Sequence, residues 1–431
     1  MVTIEPSPVD PASPPAEPAS GPRRGATPLW AVLTFTFANS LGTGVVTSGI
    51  FFLTRSAYGF GDAANYTLAI VFAAMYIAGA VAVGPLLTRL ARRSDAVTHR
   101  GVVVGIMLVL AIACVLPLGA SRWGAGGSTW AVWALAVVYG PLTGSLWPIV
   151  EAYLSGERRG AVLRAATGWF NIVWAGALVF AFWVMAPHVA ERPLAIVAAL
   201  GLVHLGSIPL MAAFTRDPGR HVDTPVDHEP HPPVYRDLLR CCRVLLPLSY
   251  VLYASVGPFM PGALDRLSVA THWQTPITAT WMTTRVVVFA IMGRWHGWQG
   301  RWSAIAFGAA ALLLGYAVVV LAPRLAGEGT PGVVALILGL GVFGVGMGVI
   351  YAAALYYALE VGRAEVAAGG AHEALIGLGY LLGPGVMLLG TGAVALGWVQ
   401  ATSFEGFVLL AMALVTLGAV GVIGRNLTRA R

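Results

Sequence analysis

Apolar residues run through this chain in long stretches broken by short polar segments, and the stretches are longer than a soluble amphipathic helix requires. A helix that crosses the hydrocarbon layer needs about 20 mainly apolar residues. Twelve stretches reach or approach that length: 29–53, 65–88, 101–120, 129–153, 168–187, 193–214, 244–262, 274–293, 302–322, 332–358, 371–396 and 404–424. The pattern predicts an all-α membrane protein with twelve transmembrane helices. The longest polar loop, 215–237, follows the sixth stretch and predicts two six-helix bundles, 29–214 and 238–425, with the loop as linker. Residues 1–28, rich in Pro, Ala and Ser, hold no apolar run before Leu29 and read as a disordered tail rather than a signal peptide. Residues 426–431 form a short second tail. The seventh stretch carries Pro247, Pro258 and Pro261, which a membrane helix tolerates only where neighbours re-satisfy the freed backbone groups.

The two predicted bundles are related in sequence. The segment from Val138 to Gly176 returns in approximate form from Val342 to Gly379: Gly140 falls on Gly344, Gly144 on Gly348, Trp147 on Tyr351 and Tyr153 on Tyr357. Beyond a short gap, Gly168 falls on Gly370 and Asn171 on Glu373. Each copy is an apolar helix, a charged loop and a second apolar helix. Such repetition among membrane helices is what transporters built from two halves display, with the substrate site between the halves.

Composition fits this reading. Hydrophobic residues make up 57% of the 431 positions and charged residues 10%, too few charges to cover a soluble protein of this length. The net charge of +7 comes entirely from arginines, which sit in short loops and set topology rather than mark a nucleic-acid surface. Arg55, Arg122, Arg192, Arg266 and Arg324 fall in loops on one side, Arg285 falls within a stretch, and all other arginines fall on the side of the termini. The excess of basic residues predicts that both termini face the cytoplasm, as in a multi-pass protein of the inner (plasma) membrane. Cys114, Cys241 and Cys242 offer neither a disulfide framework nor a metal spacing. The linker histidines His221, His228 and His231 stand in a Pro-rich acidic setting that reads as solvated chain. No metal and no cofactor is expected.

The loop after the second stretch, GPLLTRLARR from Gly84 to Arg93, resembles the loop signature of the major facilitator superfamily. Gly84, Arg89, Arg92 and Arg93 occupy matching places, while Thr88 stands where the family has an acid and Ala91 where it has a second glycine. A fainter version, GRWHGWQGRW, follows the eighth stretch, with Gly293, Gly300 and Arg301 in register and Gly297 at the acid's place. The resemblance covers residues 29–424 and implies two six-helix bundles rocking about a central cavity, lined by the first, second, fourth and fifth helices of each. In the family the loop acid and arginines latch the halves together. With the acid missing from both loops, Arg89, Arg92 and Arg93 are expected to serve topology here, and gating to rely on other pairs.

A charge in the hydrocarbon layer costs about 2.5–3.5 kcal/mol on insertion scales, which makes an ionisable residue there a functional candidate. Arg285 in the eighth stretch is the leading one: an anchor for an anionic or hydroxyl-bearing substrate, a structural ion-pair partner, or a snorkelling side chain. Glu151 and Glu373, near one end of repeat-related hairpins, are candidates for proton uptake, for gating with Arg285 or Arg164, or for helix capping. A polar strip in the first stretch (Thr36, Asn39, Ser40, Thr43, Thr47) faces a cavity or a neighbour. Asn39, Thr43, Trp147, Asn171, Trp174, Tyr250, Tyr253, Trp281, Tyr351 and Tyr380 complete the expected cavity lining with Arg285, against the alternative that the aromatics anchor at the membrane interface. His204 reads as a packed core histidine.

These features predict a secondary transporter that moves a small solute through the bilayer by alternating access as a monomer, driven by protons or by the solute's own gradient. No Walker signature is present, so ATP is not the direct driver. The alternatives are a transporter-like sensor or assembly factor and a membrane-embedded transferase. The second needs a cluster of acids, histidines or metal ligands at the surface, and the candidate residues are scattered singly.

Overall fold

The computed structural model describes residues 26–122, 129–158, 160–219, 232–325, 329–361 and 366–428. Among these, secondary structure is entirely helical. Twelve helices are long and apolar enough to cross a membrane: α1 (Leu29–Tyr58), α2 (Asp62–Arg93), α3 (His99–Arg122), α4 (Trp130–Ser155), α5 (Ala161–His188), α6 (Pro193–Ala213), α7 (Val234–Arg266), α8 (Thr271–Arg294), α9 (Trp302–Arg324), α10 (Thr330–Ala358), α11 (His372–Ala395) and α12 (Ala401–Thr428). The linker histidines lie outside the described residues.

Two helices begin well before their apolar runs. α7 starts ten residues before the expected 244, because its first turns are amphipathic: Leu238, Leu239, Cys241 and Cys242 are buried, whereas Asp237 and Arg240 pair on the outer side at 2.8 Å. The expected linker boundary therefore falls inside a helix. α5 likewise extends back through Arg164 and Thr167, whose polarity interrupts the run but not the backbone hydrogen bonding. α7 passes through Pro247, Pro258 and Pro261 without a break. It is buried along most of its length, so neighbouring helices restrain its backbone. In α1, the turn Thr43–Gly49 is wound as a π-helix, a local widening that often accompanies a functional site.

The repeat has a packing counterpart. Gly140 and Gly144 of α4 lie against the backbone of α2, at Phe72 and Tyr76. Their repeat mates Gly344 and Gly348 of α10 lie against α8, at Trp281 and Arg285. The absent side chains let these helix pairs approach closely. The same register makes Tyr76 and Arg285 related positions on α2 and α8.

At the end where the chain termini lie, the segment after α6 is stapled to the α2–α3 loop. His99 bonds the Asp217 carboxylate through both its backbone N–H at 3.0 Å and Nδ1 at 2.8 Å. Loss of solvent alone raises the Asp217 pKa, but the His99 contacts outweigh it and hold this carboxyl below its ordinary range. Arg158 donates to the carbonyls of Tyr153 and Leu154 at the end of α4, and to Thr27 ahead of α1.

A methyl group added at Gly144 would collide with the Tyr76 carbonyl, which the helix cannot move away, whereas one at Gly84 would meet nothing. Gly144→Ala is expected to cost about 1–3 kcal/mol, read as a lower thermal midpoint, and Gly84→Ala to leave the midpoint where it is.

Candidate functional site: a chamber between the halves

The first six and last six spans meet along a seam, and the buried Arg285 and Glu373 both lie on it. A polar chamber on this seam is lined by Thr43 and Thr47 of α1, Tyr76 of α2, Thr143, Trp147 and Glu151 of α4, Phe170 and Trp174 of α5, Tyr250 of α7, Tyr351 of α10, and Glu373, Ile376 and Tyr380 of α11. The π-helical turn places Thr43 and Thr47 on it. Its cavity volume is about 40 Å³, room for a few waters at most. Beside it, sharing Thr47 and Tyr380, lies an apolar chamber of about 30 Å³ walled by residues such as Val46, Phe51, Leu135, Pro258 and Pro384. Tyr253 borders the apolar chamber and hydrogen-bonds Ser48 of α1 across the seam at 2.5 Å.

Two contacts bridge the halves at pseudo-equivalent places. The Tyr76 hydroxyl donates to Oε2 of Glu373, joining α2 to α11. Arg285, the related position on α8, reaches α5: its guanidinium carbon lies 4.7 Å from the Trp174 ring, 4.5 Å from Tyr351 and 5.2 Å from Phe289. Trp174 and Tyr351 are stacked within 11° of parallel. Arg285 is 0% exposed, so it neither snorkels nor faces lipid. No carboxylate pairs with it among the described residues. Its Nη2 lies 3.5 Å from the Tyr250 hydroxyl, and Nε and Nη1 have no hydrogen-bond partner. The ring faces hold the charge, each such contact being worth about 0.5–2 kcal/mol. The Asn171 Oδ1, one turn before Trp174, is also buried without a partner.

The expected site residues divide in consequence. Thr43, Trp147, Trp174, Tyr250, Tyr351, Tyr380, Glu151 and Glu373 line the polar chamber together. Arg285 packs against the Trp174 and Tyr351 rings, and Trp281 against Tyr253 with ring centroids 4.6 Å apart; neither these two nor Asn171 is part of the lining. Asn39 is placed elsewhere. Its Nδ2 donates to the Phe35 carbonyl and its Oδ1 accepts from His204 Nδ1, both at 3.0 Å, while His204 Nε2 accepts from Tyr139 at 3.0 Å. That triad is fully satisfied inside the first half, and His204 is the packed core histidine expected. Arg164 is exposed on α5 away from the chamber. Gly84, Arg89, Arg92, Arg93, Gly293 and Arg301 all lie on the surface of the terminus-proximal end or only partly covered there, and the arginines among them form no salt bridge with described residues.

Sequence reasoning missed several participants, among them Phe170, Tyr76, Thr143 and Arg55. Tyr76 escaped because the spacing that relates α4 to α10 differs from the one that relates α2 to α8; the packing glycines, not the loop lengths, carry the register. Thr143 lacked a charged or aromatic signature. Arg55, assigned only a topological role, bonds Asp265 of the other half through Nε at 2.7 Å and Asp62 through Nη1 at 3.1 Å. It closes the seam at the terminus-distal end, where Trp183 of α5 also meets Trp273 of α8 edge-on. Among the described residues no cluster of three or more His, Cys, Asp or Glu side chains could hold a metal ion.

A hydrogen bond to a charged group contributes about 1.5–3 kcal/mol. Tyr76→Phe is expected to destabilise the chain on this scale. In a double-mutant cycle with Glu373→Ala, thermal or denaturant unfolding should give a coupling energy above about 0.5 kcal/mol; additive effects would mean that the bond contributes nothing.

No protein-family model matches the sequence, and no curated protein sequence does. Solved structures match over nearly the whole chain at low identity. The nucleoside transporter NupG is 12% identical with a TM-score of 0.60, over 92% of this chain and 98% of that one. The POT family transporter PepTSo is 13% identical with a TM-score of 0.63, over 91% and 97%. A bacterial homologue of the human lysosomal transporter Spinster, captured inward-facing and unoccupied, is 12% identical with a TM-score of 0.59, over 92% and 95%. Twelve membrane-spanning helices in two related sets of six, meeting at a polar seam, are the major facilitator fold, and this chain has it.

Proposed function

We propose that the chain is a secondary transporter that carries a small solute through the bilayer by alternating access, with Glu151 and Glu373 as its protonatable pair. The chamber carries this reading. It lies between the halves, is polar in an otherwise apolar protein, and receives one carboxylate from each half. Membrane-buried acids facing such a cavity mark ion and proton paths. The structural neighbours that transport nucleosides and peptides support a transporter in preference to a transferase or an assembly factor.

The seam supports movement. Within each half, glycine-mediated backbone contacts make the packing stiff; between the halves, contacts at the terminus-distal end rest on partly exposed ions and on aromatic edges. A partly exposed pair such as Arg55–Asp265 is worth about 1 kcal/mol or less, so it opens at small cost. Opening there and closing at the other end exposes the chamber to the opposite side. Arg55–Asp265 then serves as the gate pair that the loop arginines do not supply. With the arginine-rich loops in the cytoplasm, the state described here is closed to the outside. The protein works as a monomer in the plasma membrane on this reading.

Spin-label pairs across the seam test it without knowledge of the solute. Labels at Ser56 and Ser268 report the terminus-distal end and labels at Thr88 and Arg301 the other. Acidification, and Arg55→Ala, should lengthen the first distance while shortening the second, and the acid response should vanish when Glu151 and Glu373 are both glutamine. Arg89→Ala should move neither distance. Pairs that lengthen together, or never move, would refute alternating access.

A further inference from the structure

The lining of the polar chamber carries two carboxylates and no basic side chain. No hydrogen bond or ion pair reaches the Glu151 carboxylate from any described residue, whereas Glu373 is held by Tyr76. The remaining walls are largely aromatic: Trp147, Trp174, Phe170, Tyr250, Tyr351 and Tyr380. Aromatic faces attract cations through their quadrupoles, most strongly where water is excluded. The chain shows this itself, because Trp174 and Tyr351 of the lining already hold the Arg285 guanidinium without any counter-anion among the described residues. Arg285 is fully buried and is not part of the lining, so it gives an anion in the chamber no direct contact. The adjoining chamber is apolar and shares Thr47 and Tyr380 with the polar one.

From this we infer that the transported solute is an organic cation with an apolar substituent. The inference rests on the transporter reading above and names the class of its solute. The positive head sits between Glu151 and Glu373 against Trp147 and Trp174, and the apolar part lies beyond Tyr380 against Phe51, Leu135 and Pro258. Both chambers are water-sized in the closed state, so the solute enters as the seam opens and the two volumes merge. Proton and solute compete for the same two carboxylates. The other titratable or charged groups around them are Tyr76 on α2, Tyr250 on α7, Arg285 on α8, Tyr351 on α10 and Tyr380 on α11.

Four probes separate the contributions: benzyltrimethylammonium, tetramethylammonium, benzenesulfonate and benzyl alcohol. Binding to the purified full-length chain is read by tryptophan fluorescence and by the shift in thermal midpoint. Benzyltrimethylammonium should bind at least tenfold more tightly than each of the other three, and its affinity should fall as the pH is lowered. Glu151→Gln should weaken it at least tenfold, while Glu151→Asp keeps the preference for the cation. Equal or tighter binding of the sulfonate or the alcohol would overturn the proposal. So would indifference of folded Glu151→Gln, or the absence of binding by any probe. If the spin-label distances still move reciprocally in that case, the solute class fails and the transporter reading stands.

Discussion

Twelve apolar helices leave few places where a polar side chain can be satisfied, and in this protein the bond from Tyr76 to Glu373 organises the most consequential of them. A carboxylate among membrane helices is costly unless it is solvated, neutralised or hydrogen-bonded. The tyrosine of one half satisfies the acid of the other, and so joins the halves at the chamber wall. Its pseudo-symmetric counterpart is made differently: Arg285 crosses toward α5 through ring faces instead of hydrogen bonds. The duplicated scaffold therefore presents an acid with a donor at one place on the seam and a caged cation at the other, where α5 also carries the unpartnered Asn171 Oδ1. Asymmetry of this kind gives a two-fold framework a polar direction.

Stiffness and looseness are distributed accordingly. Glycines bring α4 onto α2 and α10 onto α8 at backbone distance, which locks each pair as a unit. Inside the first half, the Asn39–His204–Tyr139 triad satisfies its members completely and gives a solute nothing to bind. Across the seam the contacts are the Trp174–Tyr351 stack with the Arg285 cage, aromatic edges, one hydrogen-bonded acid, the Ser48–Tyr253 bond, the Arg55–Asp265 pair and the close packing of α11 on α2, with Gly370, just ahead of α11, against the Ala80 carbonyl. The weakest of them, the partly exposed Arg55–Asp265 pair, stands at the terminus-distal end.

Much of the fold was legible in the sequence because hydrophobic length is a direct physical requirement of the bilayer. All twelve spans were found, and the repeat of Gly140 and Gly144 in Gly344 and Gly348 proved to be a packing register. Helix starts were hidden where amphipathic turns, as at Leu238 and Arg164, extend beyond the hydrocarbon. The chamber was partly legible: Glu151, Glu373 and several aromatics share one lining. What charge and spacing could not reveal was which face of a helix a polar residue occupies. Asn39 and Thr43 are a turn apart on one strip, yet the first turns into the bundle core and the second, through the π-helical turn, into the chamber. Arg285 was recognised by its cost in an apolar span, but its satisfaction by three rings depends on tertiary neighbours that no local pattern announces.

The central claim is that one chamber, shared by the two halves, is reached from each side of the membrane in turn. Cys114, Cys241 and Cys242 are buried, so they can be replaced by alanine and a single cysteine placed at Thr43 on the chamber wall. Labelling of that cysteine in oriented vesicles by a membrane-impermeant thiol reagent, applied from one side and then the other, measures access directly. The account predicts labelling from both sides, with Arg55→Ala accelerating it from the terminus-distal side and slowing it from the opposite side. Labelling from one side only, unchanged by Arg55→Ala, would contradict it.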